Sequence, residues 1–289
     1  MSRHLFECVP NYSEGRRPEV IERIVAPFRS RPGLSLLDHR ADRDHNRLVV
    51  SLVGEADPLQ DSLLDSARAA IADIDLRAHR GAHPRIGAVD VIPFVPLREA
   101  DMQDAVTLAR TFAARFARET SVPVYLYEEA AFRPERRRLE VVRKGQFEGL
   151  QKDITRADRA PDFGEPKVHP SAGATAIGAR PFLIAFNINL DCADLGLARR
   201  IARDIRESGG GLPHVKAVGV PLADRGLVQV SINLTDYRVT SMGQVLARVR
   251  SEAALWGARV LETEIYGLVP AAALDQDSLC DLQVTGFDH

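Results

Sequence analysis

The strongest constraint on this chain's fold is an order of strand-like and helix-like stretches that occurs twice, β-α-β-β-α-β in each half. In the first half, Leu5 to Val9 reads as a short strand. Pro18 then opens a helical pattern in which Val20, Ile24 and Phe28 fall near one face, and Gly33 stops it. Leu34 to Leu37 and Arg47 to Val53 read as two strands joined by a polar loop, Asp38 to Asn46. Asp57-Pro58 supplies a cap and first turn for a helix through Leu63, Ala67 and Ile71, and Val89 to Val95 is the next strand. Asp101 caps a further helix with Val106, Phe112 and Phe116 inward, and Pro123 to Tyr127 reads as a strand after it.

From Arg133 to Gly178 the periodicity fades while Pro, Gly and charge accumulate. The stretch is too long for a plain connector, and its punctuation points to a functional loop. The pattern restarts at Pro181, where Phe182, Ile184, Phe186 and Ile188 alternate with Leu183, Ala185, Asn187 and Asn189. Ala198, Ile201, Ala202 and Ile205 form a helical stripe ended by Gly209-Gly210-Gly211. Val215 to Leu222 and Leu227 to Leu234 flank a hairpin turn, Ser241 and Gln244 have capping-box spacing for a helix to about Trp256, and Arg259 to Ile265 closes as a strand. The expected architecture is therefore α/β (α+β), with two ferredoxin-like βαββαβ subdomains over 1–180 and 181–289. Helices cover mixed sheets, and a small-molecule cleft lies between the two.

Composition excludes several classes. With 38 basic against 40 acidic residues and a net charge of −2, no excess of cations marks a nucleic-acid protein. Cys8, Cys192 and Cys280 are too few and scattered for a disulfide framework, which fits a reducing compartment. No apolar run is long enough to span a membrane, and the N-terminus from Met1 lacks a signal-peptide pattern, so the expected location is cytoplasmic. A homodimer is the default expectation for a soluble protein of this kind.

The sharpest chemical signal runs from Arg77 through His79, Gly81, His83-Pro84-Arg85 and Gly87 to Asp90, a loop at the entrance of a strand. Pro84 keeps His83 out of helical geometry. A histidine there suits proton transfer, and flanking arginines suit carboxylate-bearing substrates. The alternative is an ordinary loop. A metal reading of His79 and His83 lacks a third ligand and a helix to align the two, so no metal is expected. Asp38, Asp42, Asp44, His45, Asn46 and Arg47 form a second polar cluster that either orients a histidine or is simply solvated. The turn Pro10 to Arg16 offers backbone N–H groups to an anion, or merely caps a helix. The run from Glu135 to Arg138 reads as a solvated helix face.

Several long words in order resemble the formiminotransferase family: Glu7-Cys8-Val9-Pro10-Asn11-Tyr12-Ser13-Glu14-Gly15, Asn46-Arg47, Gly81-Ala82-His83-Pro84-Arg85-Ile86-Gly87-Ala88-Val89-Asp90, Pro161-Asp162-Phe163-Gly164, Gly173-Ala174-Thr175-Ala176-Ile177-Gly178-Ala179-Arg180 and Phe186-Asn187-Ile188-Asn189-Leu190. The likeness covers nearly the whole chain. It implies transfer of the formimino group of N-formimino-L-glutamate to N5 of tetrahydrofolate, a co-substrate, in histidine breakdown. By the same resemblance His83 is catalytic. The folate-binding segment is Gly164, Glu165, Pro166, Lys167, Val168, His169, Pro170, Ser171, Ala172 and Gly173. Some relatives carry a cyclodeaminase domain, whereas a chain ending at His289 is expected to be monofunctional.

Two departures stand out. A second acid found in some members is Arg40 here, with Asp42 or Asp44 as substitutes, and Glu165, Lys167 and His169 replace neutral residues. The implied chemistry is amidine exchange, in which one group near neutrality serves both the attack and the departure of the amine. His83 fills that role, with Asp42 or Asp44 orienting it and Arg47, Arg85 or Arg180 holding substrate carboxylates. Arg136 to Arg138 are candidates for polyglutamate tails. The alternatives are an N5-formyl-tetrahydrofolate-dependent formyltransferase and a non-catalytic folate-binding protein.

Overall fold

The computed structural model describes residues 4–274 and 281–285, so the N-terminal Met1, Cys280 and the terminal His289 lie outside the described residues. The backbone divides into two compact units, Met1–Pro181 and Phe182–His289.

In the first unit, β1 (Phe6–Cys8) and β2 (Asn11–Tyr12) are two pieces of one strand broken at Pro10, which has no N–H to donate. Both lie antiparallel to β4 (Arg47–Gly54) and β5 (Val89–Pro96). Beyond β4 lies β3 (Leu34–Asp42), and beyond β5 lie β7 (Thr175–Ala179) and then β6 (Val124–Glu128), both parallel. Helices α1 (Pro18–Val25), α2 (Ala56–Asp73) and α3 (Met102–Thr120) cover one face, burying Cys8, Leu48, Leu52, Phe94, Leu126 and Ile177 against Ile24, Leu63, Phe112 and Phe116. On the other face α4 (Leu139–Val142) and α5 (Gln146–Asp153) cover the β6–β7 end, where Tyr125, Tyr127 and Ala176 meet Val142 and Leu150.

Asp101 caps α3 through a capping box with Asp104. Three expectations needed correction. The polar run Asp38 to Asp42 is not loop but the second half of β3, because β4 presents its edge there and an outermost strand tolerates polar side chains on both faces. Asp57 does not cap α2: the helix starts at Ala56 after Glu55, and Asp57-Pro58 sit in its first turn, where a missing N–H is harmless. The stretch after Arg133 contains α4, α5 and β7, and β7 is a central strand fully buried on both faces.

The second unit is a sheet in the order β11 (Val260–Tyr266), β8 (Ile184–Leu190), β10 (Leu227–Leu234), β9 (Val215–Leu222), all antiparallel. Helices α6 (Leu195–Ile205) and α7 (Met242–Ala254) pack Ala198, Ile201, Val245 and Val249 against Phe186, Ile188, Val230 and Ile232. Ser241 and Gln244 form the expected capping box. The strands follow the split βαβ order of fourth, first, third, second, and β5, β1/β2, β4 and β3 do the same in the first unit. Asn187 and Asn189 point away from the helices yet are buried. Asn189 donates to Glu264 at 2.9 Å and accepts from Gln229 at 2.9 Å. Among the described residues, no helix is long and apolar enough to cross a membrane.

Candidate active site

The loop from His79 to Gly87 enters β5 and is tied on three sides. The His79 ring donates through Nε2 to the Asn46 carbonyl at 2.9 Å and accepts at Nδ1 from Arg85 Nε at 3.2 Å. Those two partners require the neutral Nε2–H tautomer, and burial lowers the His79 pKa in the same direction. Arg85, itself buried, forks onto Glu148 at 2.7 and 2.9 Å and also donates to Gln146 at 3.2 Å. Its carbonyl accepts the Phe147 N–H at 3.0 Å. Arg85 therefore ties the loop to α5 rather than reaching toward a substrate.

His83 stands in the middle of this loop, half-buried, with no hydrogen-bond partner among the described residues. Its ring lies edge-on to that of His45, with centroids 6.4 Å apart and planes inclined by 60°. Burial first, then the charges of Arg47 and Arg143 and the rings of His45 and His79, push its pKa well below the ordinary histidine value. A ring in that state is a neutral base which, once protonated, gives its proton up readily.

Of the two arginines whose charge acts on this base, the sequence reading missed Arg143. It is ion-paired with Asp90, whose other carboxylate oxygen accepts the Ile86 N–H at 2.7 Å and the Gly87 N–H at 3.3 Å. Arg143 lies in the stretch with no periodicity, so no pattern marked it. Arg47 opens β4 opposite Asp42 and is half-buried.

Neither candidate acid meets His83 directly. Asp42 accepts from His45 Nδ1 at 2.6 Å and from the His45 backbone N–H at 2.9 Å. Burial raises the Asp42 pKa, but the His45 contacts together outweigh it and leave the carboxyl below its usual range. Asp44 contributes its carbonyl, which accepts the Ala82 N–H at 3.1 Å. The Pro10 to Arg16 turn does not hold its N–H groups open for an anion. Those of Arg16 and Arg17 donate to Glu14 at 2.8 and 3.0 Å, and that of Gly15 to the Asn46 side chain at 2.9 Å.

The segment from Gly164 to Gly173 is hinged by those two glycines, at φ +86° and +74°. Phe163 ties its start to Val124, while Gly164, Glu165, Pro166, Lys167 and Pro170 are exposed and Val168, His169 and Ser171 half-buried. His169 accepts the Ala172 N–H at 3.0 Å, and partial burial lowers its pKa. At the far end, the Ala172 carbonyl accepts the Ala88 N–H at 2.8 Å, and Gly173 bridges Gly87. Residues about ninety positions apart in sequence thus meet beside the His83 loop.

Arg180 lies farther along the same sheet, buried, donating to the Pro181 carbonyl at 3.0 Å. Its charge reaches Glu7, a buried carboxyl whose pKa burial raises to about 7 against the lowering pull of Arg180. Arg136 is not a solvated residue: it is buried, paired with the equally buried Asp162 at 2.8 Å, and donates to the Ala160 carbonyl at 2.6 Å. It has no place for a polyglutamate tail, and Arg137 and Arg138 pair on the surface with Glu129 and Glu140. Among the described residues, no group of three or more His, Cys, Asp or Glu is arranged to hold a metal ion.

Known proteins are similar to this chain over almost its full length. Residues 5–180 match the model of the formiminotransferase domain, N-terminal subdomain, and residues 185–278 that of the formiminotransferase domain. The chain is 44% identical to the glutamate formimidoyltransferase of Streptococcus pyogenes serotype M1, covering 99% of this chain and 95% of that one. The glutamate formimidoyltransferase of Thermoplasma acidophilum is also 44% identical, with 99% and 94% covered. The formimidoyltransferase-cyclodeaminase of Rattus norvegicus, 44% identical, is matched over 93% of this chain and 51% of its own length. With both family models matched in order and relatives this similar from end to end, the chain belongs to the formiminotransferase family.

Proposed function

We propose that the chain is a glutamate formimidoyltransferase, moving the formimino group of N-formimino-L-glutamate to N5 of tetrahydrofolate and releasing L-glutamate. The observation that supports this reading is the lacing of Gly173 to the Ile86–Gly87 strand entrance, which joins the end of the segment from Gly164 to Gly173 to the end of the His83 loop. Tetrahydrofolate supplies the amine that receives the one-carbon unit. The exposed crest from Glu165 to Lys167, between two glycine hinges, suits a flat ring laid against backbone.

In this reading His83, kept neutral, takes the proton released as the new C–N bond forms and returns it to the departing amine of glutamate. Arg47 and Arg143, whose charges act on His83, attract the donor's carboxylates. His79 and Arg85 hold the loop. The enzyme works in the cytoplasm as a homodimer, and the formyl carried by N5 of folate is the competing donor chemistry.

The test supplies tetrahydrofolate with N-formimino-L-glutamate in one arm, and 5-formyltetrahydrofolate with L-glutamate in the other. Formation of 5-formiminotetrahydrofolate in the first arm is expected, and His83→Ala should lower its rate by about 10² to 10⁴. Product only in the second arm makes the chain a formyltransferase. Folate binding with no product in either makes it a binding protein.

A further inference from the structure

The mechanism above leaves one feature unused, the pair formed by Asp42 and His45. Asp42 ends β3 and grips both the ring and the backbone N–H of His45, at 2.6 and 2.9 Å. Two bonds from one carboxylate fix the position of His45 and the rotation of its ring. His45 is buried, so it cannot reach a substrate. What it touches is His83, edge-on at 6.4 Å.

The His83 loop is built to sit there. A β-carbon on Gly81 would stand 2.2 Å from the His45 carbonyl oxygen, so only glycine allows the loop to lie against that backbone. The Ala82 N–H bonds the Asp44 carbonyl at 3.1 Å, and the Asn46 side chain donates to the Arg80 carbonyl at 3.0 Å. The turn from Asp42 to Asn46 thus grips the loop immediately before His83, a residue that has no hydrogen bond of its own among the described residues.

We propose that His45, gripped by Asp42, is the positioning residue for His83, holding the reactive ring in its direction through an edge-on contact. The proposal rests on the reading of His83 as the group that moves the proton.

Physical chemistry explains why an imidazole stands between the acid and the reactive ring. A carboxylate bonded directly to His83 would favour its charged form. It would also compete with the substrate's carboxylates for Arg47 and Arg143. Placing His45 in between gives orientation without negative charge at the reacting centre. The groups facing His83 are then Arg47 from β4, Arg143 from the turn after α4, His45 from the β3–β4 turn and His79 from its own loop, with Asp42 one ring behind. Burial first, and then the charges of Arg47 and Arg143, oppose its protonation.

Steady-state kinetics on the full chain, with N-formimino-L-glutamate and tetrahydrofolate, test the assignment through His45→Ala, His45→Gln, His83→Ala and the double variant H45A/H83A. His45→Ala should lower kcat by about 10- to 100-fold with KM for both substrates nearly unchanged, the mark of an effect on the chemical step. The acid limb of its kcat/KM profile should move to higher pH, because a neighbour opposing protonation of His83 has gone. The double variant should be no slower than His83→Ala alone, since His45 acts through His83. His45→Gln, which keeps a donor for Asp42, should fall between and serves if the alanine variant does not fold. Wild-type kcat in His45→Ala, an unmoved acid limb, or losses that multiply in the double variant would overturn the proposal. Wild-type turnover in His83→Ala would instead remove His83 from the mechanism, and this role of His45 with it.

Discussion

Gly173 lies so close to Ile86 that a β-carbon on it would stand 2.1 Å from the Ile86 carbonyl oxygen. Its φ of +74° adds a conformation that an L side chain resists. Gly173→Ala should therefore cost about 3 kcal/mol or more, from strain and overpacking together. Because Gly173 bridges Gly87 just after the His83 loop, turnover should fall with stability. Urea unfolding and a turnover assay on the same preparation check this, and an unchanged midpoint would show that the two segments are not packed this closely.

Arg85 separates a structural from a substrate-binding arginine. Its fork onto Glu148 and its bond to His79 need the planar guanidinium, so Arg85→Lys keeps the charge but loses the geometry. The expected result is a loss of about 1–2 kcal/mol in stability with KM for N-formimino-L-glutamate within about twofold of wild type. Glu148→Gln should cost less than about 1 kcal/mol, because Glu148 is 57% exposed. A large rise in KM for Arg85→Lys, without loss of stability, would return Arg85 to the substrate.

Glu7 has a pKa raised by burial from 4.5 to about 7, so its protonated form is favoured by folding. Its contribution is complete below pH 4.5 and is lost as pH rises through 7. Glu7→Gln should be close to wild type in stability near pH 5. By pH 8 it should be the more stable protein by about 3 kcal/mol. Chemical denaturation at the two pH values reads the difference directly, and a constant difference would show that Glu7 does not titrate in this way.

The Arg136–Asp162 pair is buried on both sides, and Arg136 also lies over the Tyr125 ring at 5.0 Å. Arg136→Ala leaves a buried carboxylate without its cation and should cost about 3–5 kcal/mol. The neighbouring Arg137→Ala and Arg138→Ala, which break only surface pairs, should each cost less than about 1 kcal/mol. Thermal melts of the three variants rank them. Equal effects, or a selective loss of affinity for polyglutamylated folate in Arg136→Ala, would contradict the buried role.

What the sequence determined by itself is local. The capping boxes at Asp101 and Ser241, the helical stripe on α6, the alternation in β8 and the hairpin between β9 and β10 each depend on residues within a few positions of one another. Their chemistry can be read from spacing alone. His83 was legible for a related reason: proline after it and glycines around it define a loop whatever the rest of the chain does.

The tertiary structure decided everything that depends on a distant partner. Thr175 to Ala179 became a central strand because β5 and β6 flank it, and Asp38 to Asp42 became strand because β4 offered an edge. Asp42 bonds His45 instead of His83, and Arg85 and Arg136 spend their guanidinium groups on Glu148 and Asp162. An ionic side chain's role is set by which opposite charge lies within about 4 Å and how little water remains there, and neither quantity has a signature along the chain.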